Sequence, residues 1–175
     1  GQTVFIADTN ITELPSAQEM ADIAVEAAHV ARRLGSTPRV ALLSYSTFGS
    51  PPGERAEKIK AAVEILNNRD DVDFEFEGEL NADVALNPLA RRTYPFMRLT
   101  GPANVLVMPA IHSASISTAL LGTMGGATVL GPMLMGLKAS VQITSLGATV
   151  SDIVNMATIA AYDVNEPDAH ESLAR

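Results

Sequence analysis

The stretch between Arg98 and Lys138 contains no Asp, Glu, Lys or Arg, and it constrains the fold more than any other feature of the 175-residue chain. Apolar side chains in an uncharged stretch of this length belong in a protein core or in a membrane. Five glycines and a proline interrupt its most apolar part, LLGTMGGATVLGPMLMGL. Because Gly-Gly and Gly-Pro are turn signals, we expect several short buried elements of a sheet and no membrane-spanning helix.

Composition narrows the class of protein. A hydrophobic content of 47% can bury one substantial core, which predicts one compact domain or part of a larger one. The net charge of −8, with only 12 Lys and Arg, argues against a nucleic-acid partner. The absence of cysteine excludes thiolate chemistry, and the first residues, GQTVFIADTN, lack the pattern of a signal peptide. We therefore expect a cytoplasmic protein.

Strand-like and helix-like segments alternate along the chain. RVALLS, residues 39–44, is a nearly continuous apolar run, typical of a strand buried on both faces. Ser16 and Glu19 form a predicted capping box at the start of a helix that Gly35 ends. The alternation predicts a three-layer α/β/α domain with a mostly parallel sheet over residues 1–163, followed by a polar tail, 164–175. Further strands are predicted at 3–7, 104–108, 128–131 and 141–143, and further helices around 59–66, 82–90, 115–124 and after Thr149.

The segment DVDFEFEGE, residues 71–79, alternates acidic and apolar residues. This period of two predicts a strand with one solvated acidic face. Neighbouring carboxylates on a flat strand do not converge on an ion, so no metal site is predicted there. The apolar face would carry Val72, Phe74 and Phe76, and the solvated face Asp71, Asp73, Glu75 and Glu77.

Three hydroxyl-rich segments follow predicted strands: SYSTFGS (44–50), HSASISTA (112–119) and TSLGAT (144–149). Ligands of parallel sheets bind beyond the carboxyl ends of the strands, and hydroxyls and turn amides bind phosphate or carbonyl oxygens without carrying charge. Each segment alone is also typical of any α/β loop, but together they predict a binding site. The candidate ligand contacts are Ser46, Thr47, Ser115, Ser145, Gly147 and Thr149, with Arg98 and Lys138 as candidate partners of a phosphate.

TSLGATVSDI, residues 144–153, allows two interpretations. The free amides of a first helical turn can bind an anion. Thr149 and Asp152 also have the spacing of a capping box, whose role can be limited to starting the helix. His112 borders the candidate cleft and is a possible base, but neither a carboxylate nor a nucleophile stands at a recognisable spacing from it.

Five motifs occur in the order and spacing of the phosphotransacetylase (phosphate acetyl/butyryltransferase) family, which the chain therefore resembles. They are SYSTFGSPPGERAEKIKAA, GELNADVAL, GPANVLVMPAIHSASIS, ATVLGPMLMGL and SLGATVSDIVNMA. The segment YPF-x-RLTGPANVLVMPA-x-HSASIST resembles the branch fused at the C-terminus of bacterial NADP-dependent malic enzymes. The resemblance implies an isocitrate/isopropylmalate dehydrogenase-like fold of two α/β parts around a substrate cleft. It also implies that residues 1–163 are the later portion of such a domain.

The resemblance places the family's active-site residues on positions that have partly changed. In active members, CoA attacks an acyl phosphate at a motif similar to LSRGC-x-x-x-DI. The active-site serine falls on Ser145, the aspartate thought to activate the thiol on Asp152, and the arginine on Leu146. The family's GN-x-x-x-K places its asparagine on Ser115 and its lysine on Ala119. Losing one charge-stabilising donor commonly costs on the order of a hundredfold in rate, so we expect no catalytic residue in this degenerate site.

Three functions follow from this resemblance. The first is a catalytically silent sensor that binds acetyl-CoA or CoA and reports to malic enzyme catalytic domains in the same parent chain, where NADP and a divalent metal would be bound. The second is an active phosphate acetyltransferase. The third is an architectural module of a homo-oligomer. Self-association is predicted from the apolar residues of 99–137, which include Met108, Met124, Met133 and Met135.

Overall fold

The computed structural model describes residues 3–8, 11–135, 137 and 139–165. The chain forms two compact units, 1–118 and 119–175. Lys138 and residues 166–175 lie outside the described residues. The elements are β1 (Phe5–Ala7), α1 (Ala17–Arg33), β2 (Arg39–Leu43), α2 (Glu54–Asn67), β3 (Glu75–Leu80), α3 (Ala82–Ala85), α4 (Ala90–Thr93), β4 (Val105–Val107), α5 (Ile111–Met124) and α6 (Val150–Asn165).

The first unit is built on a four-stranded parallel sheet with the strand order β1-β4-β2-β3. Alternate residues of β2 point to opposite faces: Val40 and Leu42 join a core with α1 and α2, and Ala41 and Leu43 join a second core with α3, α4 and α5. Apolar side chains are buried on both faces because helices cover both. The predicted α/β fold with a mostly parallel sheet is confirmed.

Local sequence signals determine where α1 begins and ends. The amide of Glu19 donates to Ser16 Oγ at 3.2 Å, and the amide of Ser16 donates to Glu19 Oε2 at 2.7 Å, which completes the predicted capping box. The helix ends at Arg33, and Gly35 follows with φ +80°, a conformation that favours glycine. Both predictions are confirmed.

The prediction of a solvated acidic face on β3 is wrong for Glu77. Asp71 and Asp73 are exposed but precede the strand, whereas Glu77 is 5% exposed. The amide of Arg98 donates to Glu77 Oε2 at 2.9 Å, so the chain at 98–100 covers the edge of β3 and uses its carboxylates as acceptors. Glu79, at 1% exposure, is also buried, and it lies at a register shift: Leu42 pairs with Gly78, but Leu43 pairs with Leu80.

Other predicted elements differ in extent or kind. The expected helix at 82–90 consists of the short helices α3 and α4, because Pro88 interrupts a continuous helix. The segments 128–131 and 141–143 are not strands, since a strand needs a hydrogen-bonded neighbour and the described part of the second unit contains none. Helix α5 begins at Ile111, four residues earlier than expected, and α6 extends two residues into the predicted tail.

The second unit buries little apolar surface. Among its described residues only Met156, at 5% exposure, is buried, whereas Met124 and Val150 are 81% and 79% exposed. By contrast, Met108, which was expected to lie on an associating surface, is a core residue of the first unit. Within the described residues, no helix combines the length and hydrophobicity needed to cross a bilayer.

Candidate functional site

Glu79 holds the loop SYSTFGS between β2 and α2. Its Oε1 accepts from Ser46 Oγ at 2.8 Å and from the amide of Gly49 at 2.6 Å, and its backbone oxygen accepts from the amide of Phe48 at 3.1 Å. Ser46 is itself fully buried. Buried polar side chains need hydrogen-bond partners, and these donors supply them for Glu79. One buried acidic residue therefore fixes the conformation of the loop at the carboxyl end of the sheet.

Further hydroxyls of this loop make internal hydrogen bonds. Thr47 Oγ1 accepts from the amide of Asn81 at 2.9 Å, and Ser44 Oγ accepts from the amide of Ser46 at 3.2 Å. These contacts give Ser46 and Thr47 a role in positioning the loop. Their direct contact with a ligand stays a prediction.

Three aromatic rings lie together beside the loop. The ring centroid of Phe48 is 5.2 Å from that of Tyr94 and 4.8 Å from that of Phe96, with interplanar angles of 53° and 68°. Phe48 and Tyr94 pack against the core under the sheet, whereas Phe96 is 67% exposed. The backbone of Phe48 has φ +49°, a region that a bulky residue rarely adopts.

The segment HSASISTA lies within α5 rather than in a loop. Ser113 Oγ donates to the backbone oxygen of Ala110 at 2.8 Å in the first turn. Ser115 and His112 are both exposed on this helix, and Ala114 between them is buried in the core of the first unit. Ser115 is therefore accessible, and its contact with a ligand stays a prediction.

In the second unit, Thr149 and Asp152 form the predicted capping box of α6. Asp152 Oδ2 accepts from the amide of Thr149 at 2.8 Å and from its Oγ1 at 2.7 Å, and the amide of Asp152 donates to Thr149 Oγ1 at 3.2 Å. These side-chain and backbone hydrogen bonds from Thr149 lower the pKa of the Asp152 carboxyl. The carboxylate is thus stabilised in its charged form, which makes it a weaker base.

The turn before this cap is open. The amide of Ala148 donates to the backbone oxygen of Ser145 at 3.1 Å, which closes the turn. Leu146 is fully exposed at its tip, and a Cβ placed on Gly147 would meet no atom within 4 Å. The turn therefore offers backbone groups and small side chains, but no charged group at its tip.

A cavity of about 150 Å³ lies beside this turn within the second unit. It brings together Ser145 and Asp152, the two positions on which the resemblance places a serine and an aspartate of the active site; their roles stay a prediction. Thr144, Gly131 and Met156 share the cavity but were not predicted, because a lining position has no local sequence signal. A volume well below the roughly 300–1,000 Å³ of a typical small-molecule site suits an acyl group better than a whole cofactor. The remaining lining residues are Val129, Leu130, Ile143 and Ala148.

Arg98, one of the two predicted phosphate partners, makes internal contacts. Its Nη2 donates to Glu77 Oε1 at 3.1 Å and its Nη1 donates to Asn67 Oδ1 at 2.7 Å, while the guanidinium lies 4.4 Å from the ring centroid of Phe76. Arg98 therefore joins β3 to the end of α2, and its contact with a phosphate stays a prediction. Lys138, the other predicted partner, lies outside the described residues.

In the part of the chain that the structure describes, no three or more His, Asp or Glu side chains lie close enough together to hold an ion. The carboxylates of Glu77 and Glu79 are occupied by hydrogen-bond donors of neighbouring segments.

Comparison with known proteins identifies the family. Residues 1–161 match the family model described as Phosphate acetyl/butaryl transferase, and the chain belongs to this family. An NADP-dependent malic enzyme from Rhizobium meliloti (strain 1021) is 60% identical over 163 residues, which are 93% of this chain and 21% of that protein. A phosphate acetyltransferase from Bacillus subtilis (strain 168) is 35% identical over 161 residues, 91% of this chain and 49% of that protein.

Solved structures agree with this assignment. The EutD phosphotransacetylase from Staphylococcus aureus superposes with a TM-score of 0.86 at 31% identity, over 93% of this chain and 51% of that one. A phosphotransacetylase from Streptococcus pyogenes gives a TM-score of 0.85 at 34% identity, over 92% and 49%. The resemblance seen in the five motifs is confirmed. The chain spans about a fifth of the malic enzyme and about half of the phosphotransacetylases that it matches.

Proposed function

We propose that this chain is the phosphotransacetylase-like domain of a cytoplasmic NADP-dependent malic enzyme, which converts malate to pyruvate by oxidative decarboxylation. In this proposal the domain binds acetyl-CoA or CoA without transferring the acetyl group, reports its level to the catalytic domains, and takes part in a homo-oligomer. The observation that carries the proposal is the exposed side chain of Leu146 at the tip of the turn. A fully exposed leucine stands at the tip of a turn that keeps Ser145 and Gly147 and has lost the arginine of active family members.

The turn is suited to binding an uncharged thioester carbonyl. Backbone amides and hydroxyls can hydrogen-bond such an oxygen, and the small cavity beside Ser145 can hold an acetyl group. A phosphoryl group carries more charge and needs cationic donors, which leucine cannot replace. Because the hydrogen bonds from Thr149 lower the pKa of Asp152, its carboxylate is a weaker acceptor for a thiol proton than an uncapped aspartate would be. Binding without acetyl transfer follows from these two features.

One observation favours the alternative function, an active phosphate acetyltransferase. Ser145 and Asp152 are both retained and line the same cavity. In that function Asp152 would accept the proton of the CoA thiol as its sulfur attacks acetyl phosphate, with release of phosphate. An assay of free-thiol loss with acetyl phosphate distinguishes the two functions.

The binding site is tested by isothermal titration of the full-length protein with acetyl-CoA. Because a Cβ on Gly147 meets no atom within 4 Å, Gly147→Ala and Gly147→Trp should both fold. We expect saturable binding by wild type and Gly147→Ala, and at least tenfold weaker binding by Gly147→Trp, whose ring would fill the space over the turn. Unchanged affinity in a folded Gly147→Trp variant would exclude this location, and absence of binding by wild type would contradict the proposal.

The sensor role requires that acetyl-CoA binding to this domain changes malate turnover in the catalytic domains, in addition to binding itself. Acetyl-CoA should change the rate of malate oxidation by the full-length enzyme, and Gly147→Trp should shift that response to at least tenfold higher acetyl-CoA. A response that is identical in wild type and Gly147→Trp would place the regulatory site elsewhere.

A further inference from the structure

The rings of Phe48, Tyr94 and Phe96, which we call the aromatic platform, form a second candidate binding site. We propose that this platform stacks against the adenine ring of a phosphorylated adenine nucleotide. The identity of the nucleotide, the adenosine 3′,5′-bisphosphate part of CoA, rests on the proposed function. The site lies within the first unit and shares no residue with the turn at Ser145.

The platform presents an aromatic surface to solvent on a rigid base. Phe48 and Tyr94 are half-buried against the core, and they support Phe96, which is 67% exposed. The three rings contact one another in tilted or edge-to-face arrangements, with centroids 4.8–6.1 Å apart. A supported and exposed aromatic ring is the feature that proteins use to stack nucleic acid bases.

The backbone holds the platform in place. Phe48 adopts φ +49°, and Ser46 and Gly49 on either side of it are bound to the buried carboxylate of Glu79. The amide of Phe48 also donates to the backbone oxygen of Glu79. A rarely populated conformation that the surroundings enforce is typical of functional sites. The loop lies at the carboxyl end of β2, the edge of a parallel sheet at which ligands bind.

Charge around the platform favours an anionic ligand. Arg91 and Arg92 lie on α4, directly before Tyr94, and both are exposed. No Asp or Glu occurs in the sequence between Asp83 and Asp152, although the chain as a whole has a net charge of −8. Within the described residues, no ion pair involves Arg91 or Arg92. Exposed arginines on the helix that leads into Tyr94 suit a ligand that joins a base to phosphates, because guanidinium groups bind phosphate oxygens.

Isothermal titration of the full-length protein tests the platform with three probes: acetyl-CoA, adenosine 3′,5′-bisphosphate, and acetyl-phosphopantetheine, which lacks the adenosine part. Phe96→Ala should weaken binding of the first two by about tenfold and leave the third unchanged. Phe96→Tyr, which keeps an aromatic face, should bind all three like wild type. Leu34→Ala is the matched control, since Leu34 is an exposed apolar residue after α1 and is not part of the platform.

The arginines are tested with adenosine 3′,5′-bisphosphate and with adenosine, which lacks the phosphates. The double variant Arg91→Gln, Arg92→Gln should bind adenosine 3′,5′-bisphosphate more than tenfold more weakly than wild type, and its affinity for adenosine should change less, because only the phosphates lose a partner. Arg32→Gln is the charge control. Arg32 lies in the last turn of α1 and is ion-paired with Asp73. Its substitution removes a cation that is not part of the platform.

The outcomes separate this inference from the proposed function. If wild type binds acetyl-CoA and Phe96→Ala binds it equally well, the platform is overturned and the proposed function stands. If wild type binds adenosine 3′,5′-bisphosphate and acetyl-CoA in a Phe96-dependent way, and Gly147→Trp changes neither affinity, the platform stands and the proposed site at Ser145 fails; if wild type does not bind adenosine 3′,5′-bisphosphate, the inference is overturned. If Phe96→Ala alters the oligomeric state and no nucleotide affinity, the surface is a protein interface and the inference is overturned.

Discussion

Leu146 is the single residue that most limits what the turn can bind. The side chain is fully exposed, whereas a leucine that served the core would be buried. It cannot donate a hydrogen bond to an anion, and the family resemblance places an arginine at this position. The turn therefore forms a helix cap and presents no charged side chain at its tip, and the proposed loss of acetyl transfer rests on this missing charge.

Restoring the arginine alone should not restore activity. Leu146→Arg in the full-length protein should show little or no acetyl transfer between acetyl phosphate and CoA, because Ser115 and Ala119 have also changed and catalytic groups act as a unit. The triple variant with Ser115→Asn and Ala119→Lys should show the most transfer of the series. Transfer by the single variant that equals or exceeds that of the triple variant would refute this prediction.

Glu79 and Ser46 should stabilise the protein as a pair. Ser46→Ala removes a hydrogen bond to a buried carboxylate and should lower the free energy of unfolding by about 1.5–3 kcal/mol in urea titrations. The double variant Ser46→Ala, Glu79→Gln should lose less free energy of unfolding than the two single variants lose together, because both substitutions weaken the same hydrogen bond. Ser115→Ala, at an exposed position of α5, is the control. Strict additivity would show that the hydrogen bond contributes no stability.

Among the secondary-structure elements, α6 should have a stability that depends on pH through its cap. Hydrogen bonds from Thr149 lower the pKa of Asp152, so its stabilising effect should be present above the unfolded value of about 3.9 and be lost as the pH falls through the folded value. Asp152→Asn should therefore reduce stability at pH 7, and the difference from wild type should shrink below about pH 4.

Unfolding monitored by circular dichroism between pH 7 and pH 3 measures this effect. Thr149→Ala, which removes the hydroxyl partner, should reduce the dependence on Asp152 in the same pH range. A difference between wild type and Asp152→Asn that stays constant down to pH 3 would show that the ionised cap does not stabilise α6.

Elements whose signals are local were predictable from the sequence, and those that depend on distant partners were not. The Ser16 and Thr149 capping boxes are complete within four residues, and both form as predicted. The burial of Glu77 depends on Arg98, 21 residues later in the chain, so an alternating pattern alone could not reveal it. The segment 128–131 has strand-like residues, but its own sequence does not supply a neighbouring strand to pair with.

The same distinction applies to the candidate site. The family resemblance identified Ser145 and Asp152, which line one cavity. The organising role of Glu79 was missed because its partners, Ser46 and Gly49, lie 33 and 30 residues away. A buried acidic residue directly before Leu80 at the end of a strand is recognisable only once the register shift between β2 and β3 is known.

At the scale of the whole molecule, the exposed apolar residues of the second unit predict self-association. Val154→Asp should weaken association of the 175-residue chain about tenfold, measured by light scattering across micromolar concentrations, because it places a charge on an apolar surface. Leu14→Asp is the matched control, since Leu14 and Val154 are both 56% exposed and Leu14 lies in the first unit. A wild-type chain that is monomeric throughout this range would contradict the prediction.

In the proposed function, the turn at Ser145 binds an acyl-CoA and does not transfer its acetyl group. The most direct test is a free-thiol assay of the unmodified full-length protein with CoA and acetyl phosphate, with the Bacillus subtilis phosphate acetyltransferase as the positive control. We expect no loss of thiol above the uncatalysed background at concentrations at which acetyl-CoA binds. Robust turnover by the unmodified protein would contradict it, because it would show that acetyl phosphate is handled at this turn without the arginine.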